Sequence, residues 1–521
     1  MKPINYILAG WMAISLSLTS CDDFLDVKST DSRTSQYFYS TPKEAQQALM
    51  GVYNGLLPIS SYYLLMADVR SDDTWLGISS ESEANYQAFS NYRKYISSVG
   101  TLKAAWTDYY EIIARANILL ERIEDLTFNE TAEGFNIKES FIAEARFLRA
   151  FAYFDLVRFF GRVPMVTKTQ TVSEAVNTPQ SEPEEIYKQV IIPDLLYAID
   201  HMDEVAYTYS GEKSAVGRAN KIAAQALLGR VYWTMVGFPM WDDSKKEPAK
   251  EQFKTVLEYA GAFGDVPSRY WAKDMKEWMH IWISNNDNAY HIFEIQYAMQ
   301  ADYGNPMIFS SLPKVSKTLS HITMSGSSIN STKSLRDLYT ANKADYIRYR
   351  HTIRYSSSSS SRYFEKLFEN IPKRDSLGYA NIDDQIISRS YFPINYPLIR
   401  LEDVMLMYAE LVGPTPEGIG LVNKIRTRGG ISELPVSVSQ TQFEGYVFDE
   451  RRRELAGEGI RWHDIVRTGK FVDYITAAYT KEGTSAASVL QNVQEGMYVY
   501  PIPDDQMLVK EGLYQQNEAY K

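Results

Sequence analysis

Gly217-Arg218-Ala219-Asn220-Lys221-Ile222-Ala223-Ala224-Gln225-Ala226-Leu227 opens a stretch, 218–237, that reads as one helix and decides the fold. Ala219, Ala223, Ala224, Ala226 and Leu227 recur at helical spacing, and small residues so placed let two helices approach closely. Outward from it, the same period of 3.6 recurs over 42–57, 104–126, 138–160, 184–203 and 249–263. Thr41-Pro42 with Glu44 in the first turn starts the first of these helices, whose stripe is Ala45, Ala48, Leu49, Val52, Tyr53 and Leu56. Helices of this kind pair into antiparallel hairpins, so the expected fold is mainly α, built from tetratricopeptide-like units of varying length with no fixed repeat period.

From about 264 to 400 the pattern changes to Gly, Asn, Ser and Pro with short alternating runs. Only Tyr290 to Tyr297, with Ile292, Phe293 and Ile295, reads as a strand, and the serine run Ser356 to Ser361 reads as an exposed loop. Helices return at 401–412, 416–428 and 441–458, and Tyr498 to Pro503 reads as a short closing strand. The expected organisation is one domain, 21–521, with helical repeats at about 42–263 and 401–470 flanking a loop-rich insertion. Long irregular segments in a compact protein usually carry function.

Residues 1–20 read as a secretory signal: Lys2 supplies the positive charge, Ile4 to Leu18 an apolar core, and Leu18-Thr19-Ser20-Cys21 a lipoprotein cleavage box. The apolar core is too short and too rich in Ser and Thr for a good membrane span, and no later segment is long enough. Cys21 is the sole cysteine in the chain, so no disulfide forms and lipidation is its expected role. Asp22, Asp23 and Asp26 follow as a solvated tether. The formal charge of −11 becomes −12 once residues 1–20, which hold one Lys and no acid, are removed. An acidic chain lacks the basic surface that nucleic-acid binding needs. With 38 Tyr, 22 Phe and 9 Trp, it has more rings than a core requires, and some are expected at the surface for stacking.

Catalytic patterns are missing: no Gly-x-Ser-x-Gly, no His-Glu-x-x-His, no phosphate loop, and six histidines with none at metal-ligand spacing. A lone cysteine excludes a thiolate zinc site, and neither metal nor cofactor is expected. Asp108, Glu111, Glu450 and Glu454 are the helix-borne acids from which a glycosidase pair would be drawn, although sequence cannot measure their separation. The densest charged run, Asp449-Glu450-Arg451-Arg452-Arg453-Glu454-Leu455 through Arg461-Trp462-His463-Asp464, instead suggests a partly buried ion-pair network between helices. In it Glu450 and Glu454 share a face and Arg453 can meet one of them.

Several of these segments resemble the SusD/RagB family of nutrient-uptake lipoproteins. They are Cys21-Asp22-Asp23-Phe24-Leu25-Asp26, Ala143-Glu144-Ala145-Arg146-Phe147-Leu148-Arg149-Ala150, Phe160-Gly161-Arg162-Val163-Pro164, Gly217-Arg218-Ala219, Pro397-Leu398-Ile399-Arg400-Leu401, and Glu450 to Leu455 with Arg461-Trp462. Their order and spacing, more than any one of them, carry the resemblance. It implies a helical lid, lipid-anchored at the outer face of the outer membrane. Such a lid docks a SusC-like TonB-dependent transporter and delivers oligosaccharide, or in some members peptide, to it.

The resemblance also implies a ligand site built from the loop after the first helix and from the insertion. A sugar needs flat rings beside planar polar groups, so chemistry and location select Arg70, Asp72, Asp73, Trp75, Asn85, Tyr86, Asn91 and Tyr92 in the loop, with Trp75 as the leading stacking residue. In the insertion and nearby loops they select Trp241, Trp282, Tyr303 and Phe309, with core packing the competing role for Trp282. A non-catalytic glycan binder, a lipid-anchored helical glycosidase and a protein-binding repeat scaffold remain the three readings of the sequence.

Overall fold

The computed structural model describes residues 39–521 apart from 77–83, 129, 130, 133, 215, 216, 283–289, 299, 301, 308–328, 357–360, 365 and 367–392. Cys21, the leader before it and Phe309 lie outside the described residues.

Helix α1 (Pro42–Asn54) begins where the Thr41 hydroxyl accepts the Glu44 N–H, with Pro42 in the first turn where its missing N–H costs nothing. It lies on α2 (Gly100–Ile123) and α3 (Ile137–Phe160), which form the first long hairpin. The expected helix over 184–203 is divided: a short helix, Pro183–Ile186, runs through a π turn, Tyr187–Ile191, into α4 (Ile192–His201). Pro193 has no N–H to give to the α pattern, and wider bonding in the preceding turn absorbs the break.

Helix α5 (Lys221–Val236) starts at an Asn220 cap, three residues later than the spacing suggests. Ala223, Ala224 and Ala226 are fully buried, and Gly229 lies so close to α6 (Lys246–Tyr259) that an added Cβ would sit 2.5 Å from the Phe253 ring. Each helix touches the next from α3 to α6, and α6 then packs on α7 (Leu401–Val412), which meets α8 (Pro416–Arg428) and α9 (Gln440–Leu455). The helical stack is therefore continuous across the insertion. Two short helices, α10 (Arg461–Arg467) and α11 (Phe471–Thr480), follow it.

The insertion holds more order than its composition suggests. Among its described residues are the strands β2 (His291–Ile295), β3 (Ile329–Ser331), β4 (Ile353–Ser356), β5 (Ser361–Phe364) and β6 (Tyr396–Arg400), and β1 (Thr74–Leu76) joins them from the loop after α1. They pair antiparallel as β1 with β3, β4 with β5, and β2 with β6. Ser356 and Ser361, expected in a loop, pair with each other at the ends of β4 and β5. The β2–β6 pair lies under α3, where Phe293 meets Phe147 edge-on at 5.0 Å. Tyr498 to Pro503 is not a strand: Tyr500 N–H donates to Phe159 O, but Pro501 and Pro503 lack the donors that a ladder needs. Among the described residues no helix is long and apolar enough to cross a membrane.

Candidate functional site

The site rests on a buried charge lattice centred on α9. Five consecutive charged residues on a helix point around its whole circumference, so burying Glu450, Arg451, Arg452, Arg453 and Glu454 requires partners on every side. The lattice supplies them. Glu454 accepts from Arg428 at 2.8 Å, Arg348 at 3.0 Å, Arg400 at 3.1 Å and the Trp278 indole at 2.8 Å. Burial alone would raise the Glu454 pKa, but these guanidiniums outweigh it and hold the carboxyl well below its usual range. Glu450 meets Arg348 at 2.7 Å and Arg453 at 3.3 Å, the network that the charged run suggested. Held this way, Glu450 and Glu454 are committed to arginines rather than placed as an acid/base pair. Of the other helix-borne acids, Glu111 pairs with Arg115 and Asp108 accepts the Tyr62 hydroxyl.

Several of the residues selected in the loop after the first helix, and Trp282 of the insertion, belong to this interior. Arg70 is fully buried, donates to Met497 O at 3.2 Å and the Tyr520 hydroxyl at 2.8 Å, and lies 4.2 Å from the Tyr92 ring. Asp72 binds both the Nε and an Nη of Arg461, at 2.7 and 2.9 Å, and Asp73 takes Arg452 at 2.6 Å. Burial raises the Asp72 pKa, but Arg452 and Arg461 overcome it and bring it to about 2. Asn91 is buried with its carbonyl accepting from Asn492, and the buried Tyr92 donates to Arg70 O at 2.5 Å. Trp75 is 8 % exposed and stands edge-on to Tyr479 at 5.1 Å. Trp282 is buried too, with Lys366 at 4.8 Å and Arg400 at 5.1 Å over its ring. These candidates are therefore part of the interior, with packing the observed role of Trp75 and Trp282. Residues from α10 to the C-terminus cover the segment, an interaction spanning up to 450 positions that local composition cannot reveal.

Other candidates do face solvent. Trp241 is 58 % exposed at a left-handed φ of 51°, and Tyr303 is also exposed. Tyr86 is half-buried on the helix Ala84–Ser90, which also carries Asn85. Sequence reasoning missed Tyr355, 53 % exposed on β4. Its register partner on β5 is Arg362, whose guanidinium lies 4.8 Å from the ring. The Arg362 N–H donates to Asn330 Oδ1 at 2.7 Å, and Asn330 is the register partner of Trp75. Trp75, Asn330, Arg362 and Tyr355 therefore form one row across β1, β3, β5 and β4. The row grades from a buried ring through an amide and a guanidinium to an exposed ring. A flat ring beside planar donors is what a hydroxylated pyranose can stack on and bond to. The only sequence signal was the alternation of Tyr and Arg around the serine run.

Two family profiles match this chain: one described as "Starch-binding associating with outer membrane", over residues 23–233, and one described as the SusD family, over residues 350–520. SusD-like protein P38 of Formosa agariphila is 25 % identical over 505 residues, covering 90 % of this chain and 92 % of that protein. A SusD homolog from Bacteroides thetaiotaomicron superposes with a TM-score of 0.76 at 24 % identity, covering 93 % of this chain and 99 % of that one. A laminarin-binding SusD-like protein gives a TM-score of 0.70 at 25 % identity, covering 92 % and 100 %. With both profiles at either end of one helical fold and relatives aligned along nearly its whole length, the chain belongs to the SusD/RagB family.

Proposed function

We propose that the protein is a non-catalytic, lipid-anchored surface lipoprotein that captures oligosaccharide and passes it to a SusC-like TonB-dependent outer-membrane transporter. The single observation that carries the ligand class is the Trp75–Asn330–Arg362–Tyr355 row, an exposed ring and fork braced on a rigid interior. Starch binding in the description of one matching profile and laminarin binding in a relative point the same way. In this reading residues 1–20 are removed, Cys21 carries the lipid, and 21–521 is the working domain, with its ligand face built on the insertion at about 264–400. Tyr355 and Arg362 make the principal contacts, with Trp241, Tyr303, Tyr86, Asn85 and Phe309 as further ring and amide contacts. Arg70, Asp72, Asn91, Trp75 and Trp282 support the face from beneath.

Calorimetry of soluble 22–521 with laminarin and with starch fragments tests the reading. Removing a central stacking or bidentate contact costs about 1–3 kcal/mol, so Tyr355→Ala and Arg362→Ala should each weaken binding about 5- to 150-fold. Unchanged affinity in both moves the site elsewhere. Shortened products in the incubated glycan would overturn the non-catalytic assignment, and binding of peptides alone would change the ligand class. Cys21→Ser should release the protein from the membrane fraction, and its retention there would sink the anchor.

A further inference from the structure

A second cleft, on different elements from the row, opens along the outer side of α2. It measures about 430 Å³, within the range of small-ligand sites. Its lining comes from α2, from the segment Pro164 to Gln170 that follows α3 with Ala175 and Thr178 beyond it, and from Gln506 and Tyr514. Its geometry is fixed from behind. Trp106 packs edge-on to Phe160 at 5.1 Å and lies 5.2 Å from Tyr110, whose hydroxyl donates to Pro164 O at 2.7 Å. Asn117 spends both ends of its amide on the floor, donating to Val166 O at 3.0 Å and accepting from Arg149 at 2.7 Å.

The lining selects a ligand class. Among the described residues no carboxylate lines the cleft and Lys168 is the one charged residue there, in a chain where 23 % of residues are charged. That composition gives a charged ligand little to pair with. A wholly apolar ligand would strand the Thr107 and Tyr514 hydroxyls, which have no hydrogen-bond partner among the described residues, and would meet the amides of Gln170 and Gln506. Aromatic faces beside neutral hydroxyls and amides suit a neutral sugar ring, apolar on its C–H face and hydroxylated at its rim. From this geometry we infer that the cleft is a second binding site, for a short uncharged oligosaccharide segment; the ligand class rests on the glycan reading above. Two separated sites on one molecule would hold a long polymer by avidity.

Hydrogen exchange of the full chain, free and with saturating laminarin or starch fragments, tests this. Ala114 is exposed on α2 and lines the cleft, so Ala114→Trp fills it without touching the core, and Ala114→Ser serves as the control. Protection is expected at 106–118 and 506–514 in the parent chain and in Ala114→Ser. In Ala114→Trp it should weaken at least tenfold in a titration, while protection at 329–331 and 353–364 persists. Protection confined to those strands overturns the cleft and leaves the glycan reading standing. Protection at the cleft that Ala114→Trp does not change also overturns it. Protection nowhere, with either glycan, overturns both readings.

Discussion

The helical stack from α1 to α6 and the lattice around α9 are both dry, and they are held in opposite ways. In the stack, α5 offers alanines and a glycine to α6 in an apolar contact that is short in sequence, while α3 and α4 add a buried pair, Arg149 with Asp194. In the lattice, Asp72, Arg348, Arg400, Arg428 and Arg461 converge on or around α9 from positions up to 389 residues apart. Dispersion contacts tolerate small shifts, because many weak terms share the load. A buried ion pair does not: its charges have left water and are compensated only where the geometry is kept. The stack builds a body, and the lattice fixes where the insertion and its row of rings sit on that body.

The sharpest way to break this contrast is Glu454→Ala. It would leave Arg348, Arg400, Arg428 and the Trp278 indole facing a dry hole. Removing one partner of a buried pair costs about 3–5 kcal/mol, and here several cations share the loss, so about 4 kcal/mol is expected in urea unfolding. A loss under about 1 kcal/mol would show that the lattice is dispensable. Trp75→Ala comes next. It empties a packed position against Tyr479, at a cost of about 3 kcal/mol. Unchanged stability would return Trp75 to the solvent-facing role that its sequence suggested.

Acid separates the two regions without mutation. The Asp72 pKa stands at about 2 in the folded chain against a reference of 3.8. Because the folded value is the lower one, its stabilisation is present above about pH 4 and disappears as pH falls towards 2, while the adjoining Asp73, whose pKa burial raises, offsets part of that loss. Glu454, also held low, changes stability in the same direction. Exchange protection should therefore fall first at 72–76 and 450–464, with α5 and α6 following. Loss in the reverse order would break the assignment of acid sensitivity to the lattice.

These differences explain what could be read from the chain. A hairpin stack writes a 3.6-residue period into each segment, so α7 and α8 have the expected bounds and most others lie within a few residues of theirs, the divided helix over 184–203 excepted. The charged run on α9 declared its own network, since that many buried charges need partners close by. The partners of Asp72 and Arg70 were illegible, because nothing in Arg70-Ser71-Asp72-Asp73 names residues 452, 461, 497 or 520. β1 and β3 stayed hidden for the same reason: three-residue strands carry too little alternation to be seen, and each exists only because of the other. The exposed end of the site, Tyr355 with Arg362, stands on the β4–β5 pair, whose four-residue strands flank the serine run and carry as little alternation.

The smallest effect tests the stack itself. Gly229→Ala places a methyl 2.5 Å from the Phe253 ring, nearer than real contacts allow, so ring or helix must move. Overpacking costs about 1–3 kcal/mol, while replacing a mid-helix glycine by alanine returns about 1 kcal/mol of helix propensity. The expected net is a loss of about 1 kcal/mol in urea unfolding, far below that of Glu454→Ala although both changes sit in a dry interior. A stack of apolar contacts can slide by a few tenths of an ångström and keep all of them, whereas a lattice of charges cannot. If Gly229→Ala instead cost as much as Glu454→Ala, the close approach of α5 and α6 would be as uncompromising as the lattice. The mechanical distinction between body and lock would then fail.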